Sequence, residues 1–297
     1  MNRNLLKNIC ILQFLFSFTQ SARADWLLDT SITLQVNDNL PNASLDQDIK
    51  SDTAFDFGVS PGFYSQLSGY TSLTVTSDLG VTRQFDYQGL DLVAIGFTGA
   101  LRHKFGLGQY APWSRVAGSA RYLEYDSGQR DGWLYSLSIE AGKLLAERFS
   151  VWGGYRFESR RADDIISIPV LVTNFGIGGD AFDTDSHNLD VNAAYQINNQ
   201  LSLILGYAFR TGDITSTTLR NREVFEASDA IAADPVFGPD RFAYRIDADT
   251  SIFSVGLSLA FNNHMSLNVN YVYQDSDAYE DLTYSNNLVR FELLYSY

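Results

Sequence analysis

No stretch of this chain holds the run of about 18 apolar residues that a membrane-crossing helix needs. Helical membrane spans are thereby excluded. Thiols are as scarce. The one cysteine, Cys10, lies near the start, so the rest of the chain can build neither a disulfide framework nor a cysteine-based metal site. The three histidines, His103, His187 and His264, include no pair at metal-ligand spacing. Proline is rare, with 6 residues in 297, and no linker composition divides the chain. Positive charge is short too. Without Arg3, Lys7 and Arg23, the 21 basic residues fall to 18 against 35 acidic ones, a net of −17. Such a balance argues against nucleic acid and against docking on an anionic lipid surface.

What is abundant points elsewhere. The chain has 17 Tyr, 20 Phe and 22 Gly, a β-rich mixture of aromatic and small residues. Arg3 and Lys7, the short apolar core Ile9 to Phe18 and the small-x-small triplet Ala22-Arg23-Ala24 form a secretory leader. Cleavage is expected near Ala24/Asp25. Cys10 lacks the small residues that precede a lipoprotein cysteine. Residues 25–297 are then read as one domain, with no separate plug.

From Trp26 onward, apolar residues recur at every second position. Leu201, Leu203, Leu205, Tyr207 and Phe209 form one such set, and Phe253, Val255, Leu257, Leu259 and Phe261 another. Period two places each set on one face of a sheet. The same test predicts about twelve strands of spanning length, near 27–36, 53–65, 70–83, 91–104, 113–125, 132–144, 148–160, 187–197, 200–211, 249–261, 264–275 and 287–297. Long connections (37–52, 84–90, 126–131, 161–186, 212–248 and 276–286) alternate with short ones. Aromatic pairs such as Trp133 with Tyr135, Tyr155 with Phe157 and Tyr207 with Phe209 sit near strand ends, where a membrane barrel carries its aromatic girdles. The expected fold is all-β: a single transmembrane antiparallel up-and-down barrel, with both termini at the periplasmic end.

The final segment, Asn287 to Tyr297, resembles the C-terminal signature of Gram-negative outer-membrane β-barrel proteins, the porin-like class. Val289, Phe291, Leu293, Tyr295 and Tyr297 alternate, and the chain ends on an aromatic residue, Tyr where most of the family has Phe. The resemblance implies that this strand is recognised by the barrel-assembly machinery and closes on the first strand. It also implies an outer-membrane location, with membrane lipid and lipopolysaccharide as surroundings. Gln35-Val-Asn-Asp-Asn39 resembles the first strand of barrels that accompany exopolysaccharide export.

Projected inward, the alternation gives a charged lumen. Asp29, Asp56, Asp78, Glu140, Glu158, Asp190 and Glu292 point in, with Arg102, Arg115, Arg121, Arg156, Arg210 and Arg290. These charges either line an aqueous path for small hydrophilic solutes or pair across strands and fill the interior. Twelve strands lie between the packed and the open cases. Gly96, Gly154, Gly206 and Gly256 on the inner face are expected to leave space, which favours a passive channel. The alternatives are a non-conducting structural, adhesion or exopolysaccharide-associated barrel acting through its outer loops, and thirdly a lipid hydrolase. For the last, His264 and Ser266 have a suitable spacing, but they fall at a short turn. No catalytic residue, metal or cofactor is expected. Acidic loop residues (Asp163, Asp164, Asp180, Asp183 and Asp185; Asp229, Asp234, Asp240, Asp247 and Asp249) are expected to be solvated and to favour cation uptake. The apolar stretch Ile165 to Val172 is a candidate constriction of the mouth.

Overall fold

In hydrocarbon every backbone N–H and C=O must find a partner, so a sheet survives there only if it closes on itself. This chain meets that demand. The computed structural model describes residues 24–163, 179–279 and 282–297. The leader and the apolar stretch 165–172 lie outside them. Thirteen strands follow in chain order: β1 (Ala24–Asn37), β2 (Asp52–Gln66), β3 (Thr71–Gln84), β4 (Leu92–Lys104), β5 (Trp113–Tyr125), β6 (Gly132–Ala146), β7 (Phe149–Ala162), β8 (Thr184–Gln196), β9 (Leu201–Leu219), β10 (Ala230–Ala233), β11 (Arg241–Ala260), β12 (Met265–Ala278) and β13 (Thr283–Ser296). A one-turn helix, α1 (Arg222–Glu226), precedes β10.

Each long strand pairs antiparallel with its neighbours, and two contacts complete the ring. β13 pairs with β1, Phe291 opposite Leu34 and Leu293 opposite Ile32. β9 pairs directly with β11, Tyr207 opposite Phe253 and Leu205 opposite Val255. The short β10 joins β11 from the side. The result is a closed barrel of twelve strands with one extra strand at its mouth. Both described termini lie at the end carrying the short turns, the end that the usual asymmetry of such barrels assigns to the periplasm.

Register divides the wall into two faces. Outward positions are apolar and uncovered: Phe97 is 57% exposed and Leu137 56%. An apolar belt of that extent is stable only against another apolar phase, here lipid. Exposed rings flank the belt, with Trp26, Phe105, Tyr195 and Tyr297 near the short-turn rim and Phe85 and Trp133 near the other.

The largest departure from the sequence reading concerns 212–248, expected there as a connection. β9 and β11 continue past the rim of the wall and pair with each other as far as Leu219 opposite Arg241, whereas β8 leaves β9 at Gly212. β10 adds a third strand, Ala230 opposite Arg245 and Ala232 opposite Ala243. Apolar–polar alternation is lost here because both faces are covered by protein. Ser216, Thr217 and Thr218 are buried in succession, as are Ala230, Ile231 and Ala232.

Face assignment is directly testable. Leu137→Arg puts a guanidinium into lipid and should cost about 2–4 kcal/mol in reversible denaturant unfolding of the refolded barrel. Ser136→Arg, one residue away on the inner face, should cost far less. Equal losses would contradict the register.

Candidate functional site

Two features could carry function: the lumen wall, and the three-stranded extension of β9, β10 and β11. On the wall, every charged residue projected inward from the sequence falls on the face opposite the apolar belt. Register brings some of them together. Arg115 stands opposite Glu140, and their charged groups lie 3.4 Å apart. Asp78 accepts hydrogen bonds from Ser60 (2.8 Å), Thr76 (3.1 Å) and Thr98 (2.5 Å), with Arg121 at 3.9 Å. Arg156 and Arg210 stand on either side of Asn188. The Arg210 guanidinium donates to the Asp213 carbonyl at 2.6 Å. Asp190 takes a hydrogen bond from Asn192 at 2.6 Å. Glu158 stands opposite Ser186. On β13, away from these groups, Arg290 donates to Gln35 at 2.9 Å and Glu292 accepts from Asn268 at 3.2 Å.

Most of the inward arginines are more exposed than the inward acids. Arg102, Arg121, Arg156 and Arg290 are exposed, with Asp29, whereas Arg115, Arg210, Asp56, Asp78, Glu140, Glu158, Asp190 and Glu292 are half-buried. The Arg121 side chain is 46% exposed and that of Asp78 15%. Their exposure means that open space lies beside them on the inner face. The glycines expected to leave space do something else. A Cβ on Gly96 would lie 2.5 Å from Arg121 Cγ, and one on Gly154 2.9 Å from Glu140 Cγ. The gaps are occupied by long side chains of the neighbouring strand, which lie flat along the wall.

The extension lies over the outer mouth. In a ring of twelve, β9 and β11 stand diametrically opposite β3 and β4. Yet the segment between β10 and β11 reaches the β3–β4 loop. The rings of Phe237 and Tyr87 are 5.1 Å apart, and a Cβ on Gly89 would lie 3.0 Å from Val236 Cγ2. The extension therefore crosses the whole mouth.

Ion pairs fasten it to three loops on the way. Arg241 meets Asp48 of the β1–β2 loop at 2.8 Å, Asp234 meets Arg130 of the β5–β6 loop at 2.5 Å, and Arg245 meets Asp180, ahead of β8, at 2.9 Å. Asp48 and Asp234 are fully buried; of the two, Asp234 was expected to be solvated. The Arg130 guanidinium also lies 4.4 Å over the Phe182 ring. Burial pulls its pKa down and Asp234 opposes that pull, so the pair depends on both partners. On the other face Ile214, Ile231, Tyr244 and Ile246 pack with Leu282 and Tyr284.

The histidines stand apart from both features. The His264 ring engages the Ser296 carbonyl through Nδ1 at 2.8 Å, at the short-turn rim. His187 Nδ1 bonds the Tyr155 hydroxyl (2.7 Å), and His103 Nδ1 the Thr71 hydroxyl (2.9 Å).

No protein-family model matches the chain. No curated protein sequence matches it either. Among solved structures, an outer-membrane channel from Pseudomonas putida F1 superimposes over 95% of this chain and 97% of that one, with a TM-score of 0.54 and 13% identity. The fold is that of a Gram-negative outer-membrane β-barrel. The NanC porin matches over 90% and 98% at 10% identity and a TM-score of 0.48. The translocator domain of the autotransporter NalP from Neisseria meningitidis matches over 98% and 94% at 10% identity and a TM-score of 0.42. Likeness at this level carries the architecture and not an activity.

Removing Asp234 leaves Arg130 buried without its counter-charge, a change that costs about 3–5 kcal/mol in buried pairs. Asp234→Ala should raise hydrogen exchange at the amides of Ala230 to Ala233 by orders of magnitude while the wall strands stay protected. Unchanged exchange there would show that the ion pair does not hold the extension.

Proposed function

We propose that this protein is a passive channel of the bacterial outer membrane for small hydrophilic solutes, with a lumen that favours anions and an outer mouth narrowed by the 212–248 extension. The observation that carries this reading is the set of exposed arginines on the inner face, Arg102, Arg121, Arg156 and Arg290. A barrel whose interior charges served only to fill it would bury them in pairs. Here Asp78, Asp190 and Glu292 are held by neighbouring hydroxyls and amides, Glu140 is paired with Arg115, and the guanidinium groups of Arg102, Arg121, Arg156 and Arg290 stay exposed. A positive, low-dielectric passage concentrates anions. This reverses the cation preference expected from the acidic loops. Two of those loop carboxylates, Asp180 and Asp234, are engaged in ion pairs of the closure, as is Asp48 of the β1–β2 loop. In this reading the leader is removed near Ala24/Asp25, and the barrel-assembly machinery receives β13 through Val289, Phe291, Leu293, Tyr295 and Tyr297. The lipid and lipopolysaccharide of the outer membrane surround the apolar belt.

A second reading draws on the closure itself. A mouth crossed by an ordered sheet also suits a non-conducting barrel that works through its outer surface. Planar-bilayer recordings on the refolded mature chain separate the two. The channel reading expects discrete conductance steps and a reversal potential that favours chloride in a potassium chloride gradient. Arg121→Gln with Arg156→Gln should lower that preference, and Asp234→Ala should enlarge the steps. A folded, heat-modifiable barrel that stays silent would sink the channel and leave the outer-surface role.

A further inference from the structure

At the short-turn end the inner wall lines a cavity of about 460 Å³. We infer that this cavity is a binding site for a small organic anion, a carboxylate carried on a ring. The ring-sized volume lies within the range of about 300–1,000 Å³ usual for small-ligand sites.

Its lining is chemically one-sided. Arg102 and Lys104 lie in the wall, with Trp113, Trp152, Tyr64 and Tyr70 around them, and neither Asp nor Glu contributes. In a chain with 35 acidic and 21 basic residues, that exclusion is a local arrangement against the overall charge. Register sharpens it. Arg102 stands directly opposite Arg115 on the same inward face, and Lys104 is the next inward residue of β4. Like charges placed directly across a strand pair repel. Glu140 offsets Arg115 from 3.4 Å. Among the described residues, no carboxylate lies within ion-pairing distance of Arg102 or Lys104. The missing counter-charge is what a ligand would bring.

The aromatic side of the site says what kind of ligand. The Arg102 guanidinium lies 4.8 Å over the Trp113 ring, an arrangement that fixes its fork in one plane. Gly142 makes room for the indole, since a Cβ there would lie 2.6 Å from Trp113 Cζ2 and 2.7 Å from Trp152 Cβ. A planar guanidinium suits a carboxylate bidentately. The indole and phenol faces beside it suit the flat side of a ring, and Gln66 and Gln109 add amides to the lining for hydroxyl groups. A sugar acid and an aromatic acid share this chemistry.

Calorimetry on the refolded mature barrel in detergent tests the assignment, with glucuronate against glucose and benzoate against benzyl alcohol. At least one acid should bind saturably and about tenfold or more tighter than its neutral counterpart, the scale of one charge-assisted contact. Arg102→Gln and Lys104→Gln should each weaken that binding while the barrel stays heat-modifiable. The acid that binds identifies the ring. Equal affinity for the neutral compounds, equal affinity for inorganic phosphate, or indifference to both substitutions would overturn the site. The inference rests on the channel reading only for the ligand's route. Binding by a barrel that is silent in bilayers keeps the site and sinks the channel, and conductance without binding does the reverse.

Discussion

Pairing of backbone groups in hydrocarbon is the constraint from which the rest of this structure follows. It requires β13 to meet β1 and β9 to meet β11, because an open edge in lipid would leave a row of donors and acceptors unsatisfied. Closure then fixes the side-chain period at two around the whole wall, with no freedom to slip a strand by one residue. Apolar residues take the lipid side, so the charges collect inside. The exposed inward arginines and the basic cavity are therefore consequences of the same rule that keeps Phe97 and Leu137 outside.

Above the lipid the rule relaxes, and the chain uses the freedom. Past Gly212 the strand that β9 pairs with is β11, which takes β10 on its other side, and Thr217 N–H also donates to the Pro41 carbonyl of the β1–β2 loop. This small sheet is held on one face by apolar packing and on the other by ion pairs to three loops. Two carboxylates of these pairs, Asp48 of the β1–β2 loop and Asp234, are fully buried. Buried pairs of this kind add little net stability over apolar contacts, but they penalise any arrangement that separates them. The closure is thus a defined structure, and moving it requires several such contacts to break together.

The strands of the wall were legible because lipid imposes a pattern that a single sequence can carry. Leu201 to Phe209 and Phe253 to Phe261 display it plainly, and they are paired in the structure. The closure was not legible, for physical reasons. Ser216 to Thr218 and Ala230 to Ala232 are covered on both sides, so they need small or β-branched residues and no alternation. Their partners are also remote, Asp48 from Arg241 and Arg130 from Asp234, and periodicity is blind to contacts at that separation. The runs Thr215-Ser-Thr-Thr218 and Ala230-Ile-Ala-Ala233 were the available signal, since residues this compact and uncharged are unusual in a solvated loop. The glycines misled for a related reason. Gly96 and Gly154 do mark gaps in the wall, but only register shows that Arg121 and Glu140 lie in them.

A single cross-link tests the central claim, that an extension of β9 and β11 spans the mouth to the opposite rim. A Cβ on Gly89 would lie 3.6 Å from Val236 Cβ, within the separation of about 3.5–4.5 Å that a disulfide needs. The chain from Asp25 onward has no other thiol. With Gly89→Cys and Val236→Cys introduced together, mild oxidation of the folded barrel should join the two residues nearly completely, as read by mass spectrometry of the linked peptides. Two thiols that stay unlinked, each open to maleimide in the folded protein, would contradict the crossing and with it the account of a narrowed channel.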